Sequence, residues 1–447
     1  MEQATAQTLP SSPPRNDLPP GPSAPAAVQT ARLLFRPVQF AEACHDRYGD
    51  TFRAHFIPAG DVVFISDPDS LKRLFGADRI NTIAPGRNFA LGPLLGPGSL
   101  LLQTGDEHLR RRKLMLPSFH GERMRAYESA MEDVTERELA TWPLGEQFAL
   151  HARMQAITLE VILRAVFGVG EERHDALRDN LVAILATTRS PAAFGMTMSR
   201  LNWIPRYRRT RELIAATDEL LAAEVAERRS DPRLEEREDI LSMLVAARFE
   251  DGSQMDGPEL RDQLMTLLLA GHETTATALA WTFELLYRSP EALERASSDA
   301  CDGDGAYLDA VATEALRLRP VVPFTGRQLN EAAELGGHEL PAGMTVFASI
   351  WLAHTREASF PQARSFRPER FLDGSPETYS WIPFGGGTRR CIGAAFAQLE
   401  MRVVLRTLLR EAVLGPADDR PERIVRRNVT LAPARGTPTV LRERLAA

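Results

Sequence analysis

The chain has 447 residues, of which 53 are Lys or Arg and 60 are Asp or Glu, so its formal net charge of −7 excludes a generic nucleic-acid binder. Hydrophobic residues make up 44% and charged residues 25%, the balance of a soluble globular enzyme with a sizeable core. Its three cysteines, Cys44, Cys301 and Cys391, are far apart and show no C-x-x-C pairing, which excludes a disulfide scaffold or a zinc ribbon and suits a reducing cytoplasm.

Residues 1–30 contain seven prolines and no apolar run long enough for a signal or a membrane span, and read as a flexible tail without an anchor. Thr51 to Pro68 alternates around a Pro-Ala-Gly-Asp turn and predicts a β-hairpin. Residues 81–103, with Pro85, Gly86, Gly92, Pro93, Gly96, Pro97 and Gly98 among leucines, form a loop too long and apolar for a mere connector. From Asp106 to about Ala247 the pattern is mostly helical, broken near Trp142-Pro143 and Gly168 to Gly170. Gly257 to Arg288 is apolar on nearly every face, as a central buried helix would be. Tyr307 to Leu318 predicts another helix, ended by Pro320, and strand-like pieces follow through Met344 to Ile350. A last strong helix is expected from Cys391 to about Leu409, with strand-like pieces at Val425 to Leu431 and Thr439 to Leu441. The elements give a mainly α fold with small β-sheets.

Four constellations interrupt this pattern. Within the central helix, Gly271, Glu273, Thr274 and Thr275 make a polar island; a buried carboxylate is costly unless paired or used, and threonine hydroxyls can bond the carbonyl one turn back. A satisfied, partly wetted groove explains this island as well as a reaction site does. A zinc-protease H-E-x-x-H is excluded because Ala276 stands where the second His is needed. Glu314 and Arg317 share a helix face at three-residue spacing, and Arg370 of Phe366-Arg-Pro-Glu-Arg-Phe371 could join them; a surface pair of this kind would contribute little. Gly105-Asp-Glu-His108-Leu-Arg-Arg-Arg112-Lys113 opens a helix with acidic residues and puts His108 and Arg112 on one face. Such a run either holds an anion or is a solvated face. Finally, Phe384-Gly-Gly-Gly-Thr-Arg-Arg-Cys391-Ile-Gly393 sets three glycines and two arginines before one thiol, which suits a ligand held under a flat anionic partner.

Taken together and in this order, the motifs closely resemble the cytochrome P450 family of haem-thiolate monooxygenases, from about Leu18 to the end of the chain. The resemblance implies one haem domain over 31–447, a triangular helix-rich prism whose long central helix lies over haem b. It makes Cys391 the axial thiolate, with the glycines of Phe384, Gly385 and Gly393's loop allowing amides to approach the sulfur. Ala270, Gly271, Glu273 and Thr274 resemble the oxygen-activating helix, in which the acid and alcohol deliver protons to dioxygen at the haem. Glu314, Arg317 and Arg370 resemble the family's buried triad. His108, Arg112, Arg327 and Arg389 would hold the haem propionates. Substrate contacts would fall on Phe89 and Leu94 of the 81–103 loop and on Leu267, Val322, Phe324 and Leu431. Ala192 to Trp203 would line the entrance.

The implied activity is insertion of one atom of O2 into a small lipophilic substrate, a fatty acid, terpenoid, steroid or polyketide, by hydroxylation or epoxidation. Electrons would come ultimately from NAD(P)H through a separate ferredoxin and its reductase, docked on a basic face made by Arg110, Arg111, Lys113 and Arg390. A cytoplasmic monomer is expected. The alternative is a haem-binding sensor or carrier without turnover, which would need the Cys391 loop but not Glu273 and Thr274.

Overall fold

The computed structural model of the protein describes residues 18–76, 81–82, 92–119, 121, 123–168, 173–187, 205–372, 374, 376–427 and 429–445. The expected hairpin forms from β1 (Thr51–Phe56) and β2 (Gly60–Ile65), paired from Thr51 opposite Ile65 to Phe56 opposite Gly60. β2 then runs parallel to β8 (Thr345–Ser349), which pairs antiparallel with β5 (Phe324–Leu329); β3 (Asn81–Thr82) closes the edge of this five-stranded sheet, and β6 (Ala333–Leu335) pairs with β7 (His338–Leu340) in a separate hairpin. Alternation puts Phe52, Phe64, Phe324 and Phe347 on one face, where Phe52 stacks on Phe64 with centroids 4.8 Å apart and Phe324 meets Phe64 edge-on at 5.4 Å.

Residues 18–30 are not loose against this sheet, which corrects the flexible-tail expectation for that stretch. Leu18 is buried, the Arg53 amide donates to the Pro20 carbonyl at 2.9 Å, and α1 (Ala26–Phe35) begins inside the supposed tail. Buried Gln29 donates to the Ala24 carbonyl at 2.7 Å and accepts from the His55 amide at 2.9 Å, so it pins the segment to β1.

The helical body contains α2 (Pro37–Tyr48), α3 (Pro68–Gly76), α4 (Gly105–Met115), α5 (Arg123–Ala140), α6 (Leu150–Phe167), α7 (His174–Thr187), α8 (Pro205–Ser230) and α9 (Ile240–Ala246). It continues with α10 (Gly257–Tyr287), α11 (Pro290–Asp302), α12 (Ala306–Leu318) and α13 (Ala394–Glu411). The 31-residue α10 starts with a reciprocal capping box, Asp256 accepting from the Glu259 amide and Glu259 from the Asp256 amide. Leu264, Leu268, Leu279 and Phe283 are fully buried along it, each such side chain contributing about 1.5–3 kcal/mol.

Gly271 lets α10 approach α6: a Cβ there would come within 3.2 Å of Ile162. α13 begins at Ala394 rather than Cys391, because Cys391 to Gly393 form the turn that enters it. The C-terminal pieces pair as the hairpin β10 (Ile424–Arg427) and β11 (Thr430–Pro433), while β12 (Pro438–Arg444) sits between β4 (Gln147–Ala149) and β9 (Ala412–Pro416). No helix among the described residues is long and apolar enough to cross a membrane.

Candidate active site

The segment before α13 is a closed loop. The Cys391 amide donates to the Phe384 carbonyl at 2.9 Å and the Arg390 amide to the Gly387 carbonyl at 3.0 Å. Gly386 and Gly387 are dictated by α3: a Cβ on Gly386 would lie 2.6 Å from the Phe75 ring, and one on Gly387, which has φ +67°, 2.5 Å from the Phe75 carbonyl oxygen. Two of the three glycines thus serve packing against Phe75, where the sequence suggested approach to the sulfur. Phe384 packs on the main core and edge-on to Trp381 at 6.0 Å. Cys391 is exposed at contact distance yet enclosed by protein at longer range. The longer range governs its acidity, because desolvation acts over several ångströms. Burial raises the thiol; the Gly393 N–H and then the charges of Arg112 and Arg390 oppose this and favour the thiolate.

Arg112 links that sulfur to a cationic cluster. His108, on the same face of α4, is buried and pushed down to about 4, first by desolvation and then by the charges of Arg389, Arg112 and Arg327. Arg327 and Arg389 are each lowered to about 10 by burial, and Arg389 repels Arg327 while Arg112 repels Arg389. Among the described residues none of these three arginines has a carboxylate partner. Arg327 instead donates to the Gly386 carbonyl at 3.0 Å and lies 5.2 Å over the Phe75 ring, and Arg389 donates to the Gln103 carbonyl. Four cationic or potentially cationic groups converge from α4, β5 and the Cys391 loop.

On α10 three successive carbonyls each accept a threonine hydroxyl. Thr274 Oγ1 donates to Ala270 at 2.7 Å, Thr275 Oγ1 to Gly271 at 3.1 Å, and Thr158 Oγ1 of α6 to His272 at 2.9 Å. Such bonds give these carbonyls a second donor beside the helical N–H, and α10 stays α-helical through them. Ala270 is exposed in the middle of this otherwise buried helix. Glu273 points the other way, towards α6: Gln155 donates to its Oε2, and His151 Nε2 lies 3.8 Å from Oε1. Arg427 donates to His151 Nδ1 at 3.1 Å, which leaves the proton of the neutral ring on Nε2, facing Glu273 and Thr277. Glu273 lines a cavity of about 640 Å³ with Glu138, Gln155, Glu160 and Arg164.

Comparison with known proteins decides what this arrangement belongs to. The profile of the family described as Cytochrome P450 matches residues 19–438. The chain belongs to the cytochrome P450 family. The Mycobacterium tuberculosis protein named cytochrome P450 135B1 is 42% identical over 425 residues, 94% of this chain and 90% of that protein. Cytochrome P450 138 of the same organism is 37% identical over 426 residues, 93% of each. Among solved structures, retinoic acid-bound cyanobacterial CYP120A1 superposes with a TM-score of 0.81 at 25% identity, covering 96% of this chain and 100% of that one. The cytochrome P450DA haem domain gives 0.84 at 22% identity, with 96% and 98% covered, which speaks to the fold alone. The P450 fold and the monooxygenase class of enzyme follow.

The P450 cofactor, haem with a cysteine thiolate, fits these residues. A cluster of buried cations without carboxylate partners is an unfavourable arrangement that two propionates would neutralise, and Arg112 touches both the cluster and the Cys391 thiol electrostatically. The triad residues also come together. Arg317 donates to Glu314 at 2.6 and 2.7 Å and Arg370 at 3.1 Å, with Glu314 and Arg317 wholly buried.

Other sequence-derived residues are placed differently. Phe89 and Ala192 to Trp203 lie outside the described residues. Val322 and Phe324 are half-buried, whereas Leu94, Leu267 and Leu431 are buried in apolar clusters. Leu431 contributes its carbonyl to Trp281 Nε1 at 2.8 Å. The basic face is also reduced. Arg111 is buried against Glu107 and Glu259, Arg110 bonds Asp251 at 2.5 Å, and Lys113 meets Glu250 at 3.1 Å. Of the four, only Arg390 makes no ion pair among the described residues.

Sequence reasoning missed the clamp on the loop before α4. Asp262 accepts from the Gly98 amide at 2.7 Å, Gln263 from the Leu100 amide at 3.0 Å, and Thr266 meets Ser99 at 2.7 Å. Its signal was three polar residues on one stripe of an apolar helix. His151 and Gln155 were also missed, since nothing in α6 marks them as facing Glu273.

Proposed function

We propose that this P450 inserts one atom of dioxygen into a lipophilic small molecule, with Cys391 as the thiolate ligand and Glu273 and Thr274 as the proton-handling pair. The observation that carries the reading is the meeting of Cys391 with the cation cluster through Arg112. When bound, haem supplies the iron at which dioxygen is reduced and its oxygen transferred. His108, Arg112, Arg327 and Arg389 hold its propionates. The Gly393 N–H and the Arg112 and Arg390 charges favour the thiolate of Cys391 against the burial that raises the thiol.

Glu273 takes up protons on the cavity side of α10, where Gln155 and His151 fix its carboxylate. Thr274, one residue on and about 100° around the helix, holds a proton donor at Oγ1 on another face. Exposed Ala270 with half-buried Val322 and Phe324 supports an apolar substrate surface. The retinoic acid bound to the cyanobacterial relative supports a lipophilic substrate of the fatty-acid, terpenoid, steroid or polyketide kind. Electrons come from NAD(P)H through a separate ferredoxin, which docks where Arg390 is exposed beside Cys391.

The test is Thr274→Ala in the haem-loaded enzyme with a surrogate ferredoxin and reductase. Haem content should stay unchanged while most reducing equivalents appear as peroxide. Undiminished coupling to product would remove Thr274 from this role. Cys391→Ser should abolish the red-shifted band of the reduced carbon-monoxide complex, and its survival would exclude this ligand.

A further inference from the structure

One deeply buried carboxyl of the helical core lies outside this scheme. Glu400, on α13, is fully buried, and its Oε1 has no hydrogen-bond partner among the described residues. Its carboxyl interacts with the hydroxyl of Thr275, across the α10–α13 contact. Thr275 in turn donates to the Gly271 carbonyl, the middle one of the three successive α10 carbonyls that accept threonine hydroxyls.

We infer that Glu400 is a positioning residue for the Thr275 hydroxyl on α10: as a neutral acid it donates its O–H to Thr275 Oγ1 and thereby commits the Thr275 proton to Gly271. The hydrogen-bond inventory permits this order. A protonated carboxyl supplies one donor, and the threonine hydroxyl can accept it while donating its own proton to the carbonyl. If Glu400 loses its proton, the carboxylate has only the Thr275 hydroxyl to accept from. Thr275 then turns away from Gly271, whose carbonyl loses that bond next to the Ala270 carbonyl on which Thr274 is held.

Burial keeps the acid neutral, raising it to about 8, and Thr275 opposes this only in part. The charges on the helices around α13 are engaged elsewhere. From α5, Glu128 pairs with Arg406 at 3.0 Å, and Glu132 and Glu136 with Arg410 at 3.0 and 3.5 Å. From α12, Asp309 pairs with Arg402 at 3.0 Å, and from α11, Asp299 takes the Leu308 amide at 3.0 Å. From α10, Glu273 faces α6, and His272 bonds the Leu268 carbonyl at 3.3 Å and is pushed down to about 4 by burial. None of them acts on Glu400.

The inference rests on the Thr274 reading for its kinetic consequence but not for its spectroscopic one. In the haem-loaded protein, the infrared difference between wild type and Glu400→Gln should show the C=O stretch of one protonated carboxyl at about pH 6. That band should vanish as pH rises through about 8. In turnover, the peroxide fraction of wild type should rise at least about twofold between about pH 7 and about pH 9, where such an acid goes from about one-tenth to about nine-tenths ionised. Glu400→Gln, whose amide still donates to Thr275, should keep the low fraction across that range. Thr275→Val should show the high fraction at every pH while keeping the infrared band.

A missing band at about pH 6 overturns the inference, as does an alkaline rise in peroxide that persists in Glu400→Gln. If Thr274→Ala leaves coupling intact while the band titrates as stated, the proton-handling reading fails and the neutral Glu400 stands. Should Glu400→Gln not fold, the Thr275→Val result decides: a wild-type pH profile in it excludes the link.

Discussion

Glu314 and Arg317 lie one helical turn apart on α12, with no solvent exposure on either side chain, and are joined by hydrogen bonds of 2.6 and 2.7 Å. Arg317 spends its remaining donors on the carbonyls of His354, Ala363 and Ser365 at 2.6, 2.7 and 3.2 Å, so the pair ties α12 to the chain that leads into the Cys391 loop. A buried pair of this kind need not stabilise relative to a well-packed apolar one, but losing one partner strands the other. Arg317→Leu should therefore cost about 3–5 kcal/mol, read as a shift in denaturant midpoint. A cost below about 1 kcal/mol would mean that solvent reaches Glu314.

The triad illustrates what the sequence made legible and what it did not. Three-residue spacing put Glu314 and Arg317 on one face, but burial, which separates a surface pair from this one, depends on α12 packing that no local pattern shows. The run Arg110 to Lys113 shows the same limit. Successive helical residues fan out by about 100°, so four equivalent cations meet four environments: Asp251, Glu259, the Cys391 cluster and Glu250. The sequence identified His108 and Arg112 as sharing a face, yet Arg111 was expected on the surface and lies buried. The long apolar helix and the hairpin were legible because their periods are local. The contacts of Gly386 and Gly387 were not, because Phe75 is remote in sequence.

The cation cluster predicts opposite effects with and without haem. Buried arginines that repel one another oppose folding of the haem-free chain, whereas the same charges would hold the propionates in the proposed site. Arg389→Leu should leave the haem-free protein at least as stable as wild type and speed haem loss to an apomyoglobin acceptor by about tenfold or more, the loss of one charge-assisted bond of about 1.5–3 kcal/mol. Equal destabilisation of both forms would show that Arg389 serves the fold alone, through its bond to Gln103.

The Phe75 contacts predict a difference between two adjacent glycines. Gly386→Ala meets a side chain, so removing that ring in Phe75→Ala should restore part of the lost stability. Gly387→Ala meets a backbone carbonyl at 2.5 Å and sits at φ +67°, which no change at position 75 relieves. A double-mutant cycle should give a coupling of about 1 kcal/mol or more for the first pair and near zero for the second. Equal coupling in both would place the loop differently against α3.

Acid should weaken the junction between α12 and the Cys391 loop through His354. The ring is fully buried, its Nδ1 3.1 Å from the Arg317 carbonyl, while its Nε2 accepts the Ile382 amide at 2.8 Å. Accepting that N–H requires a neutral ring, and burial, followed by the Arg317 charge, pushes the group down to about 3. The unfolded chain binds the proton near the ordinary value of 6.5, so below it the unfolded state takes up more protons than the folded one. The stability due to His354 is thus complete above about 6.5 and declines as pH falls towards 3. By about pH 4 the loss should reach about 2–4 kcal/mol. His354→Gln, which keeps an acceptor for Ile382 without a titrating group, should start less stable at neutral pH and lose less on acidification. Parallel pH profiles of melting temperature for the two proteins would show that His354 does not carry this dependence.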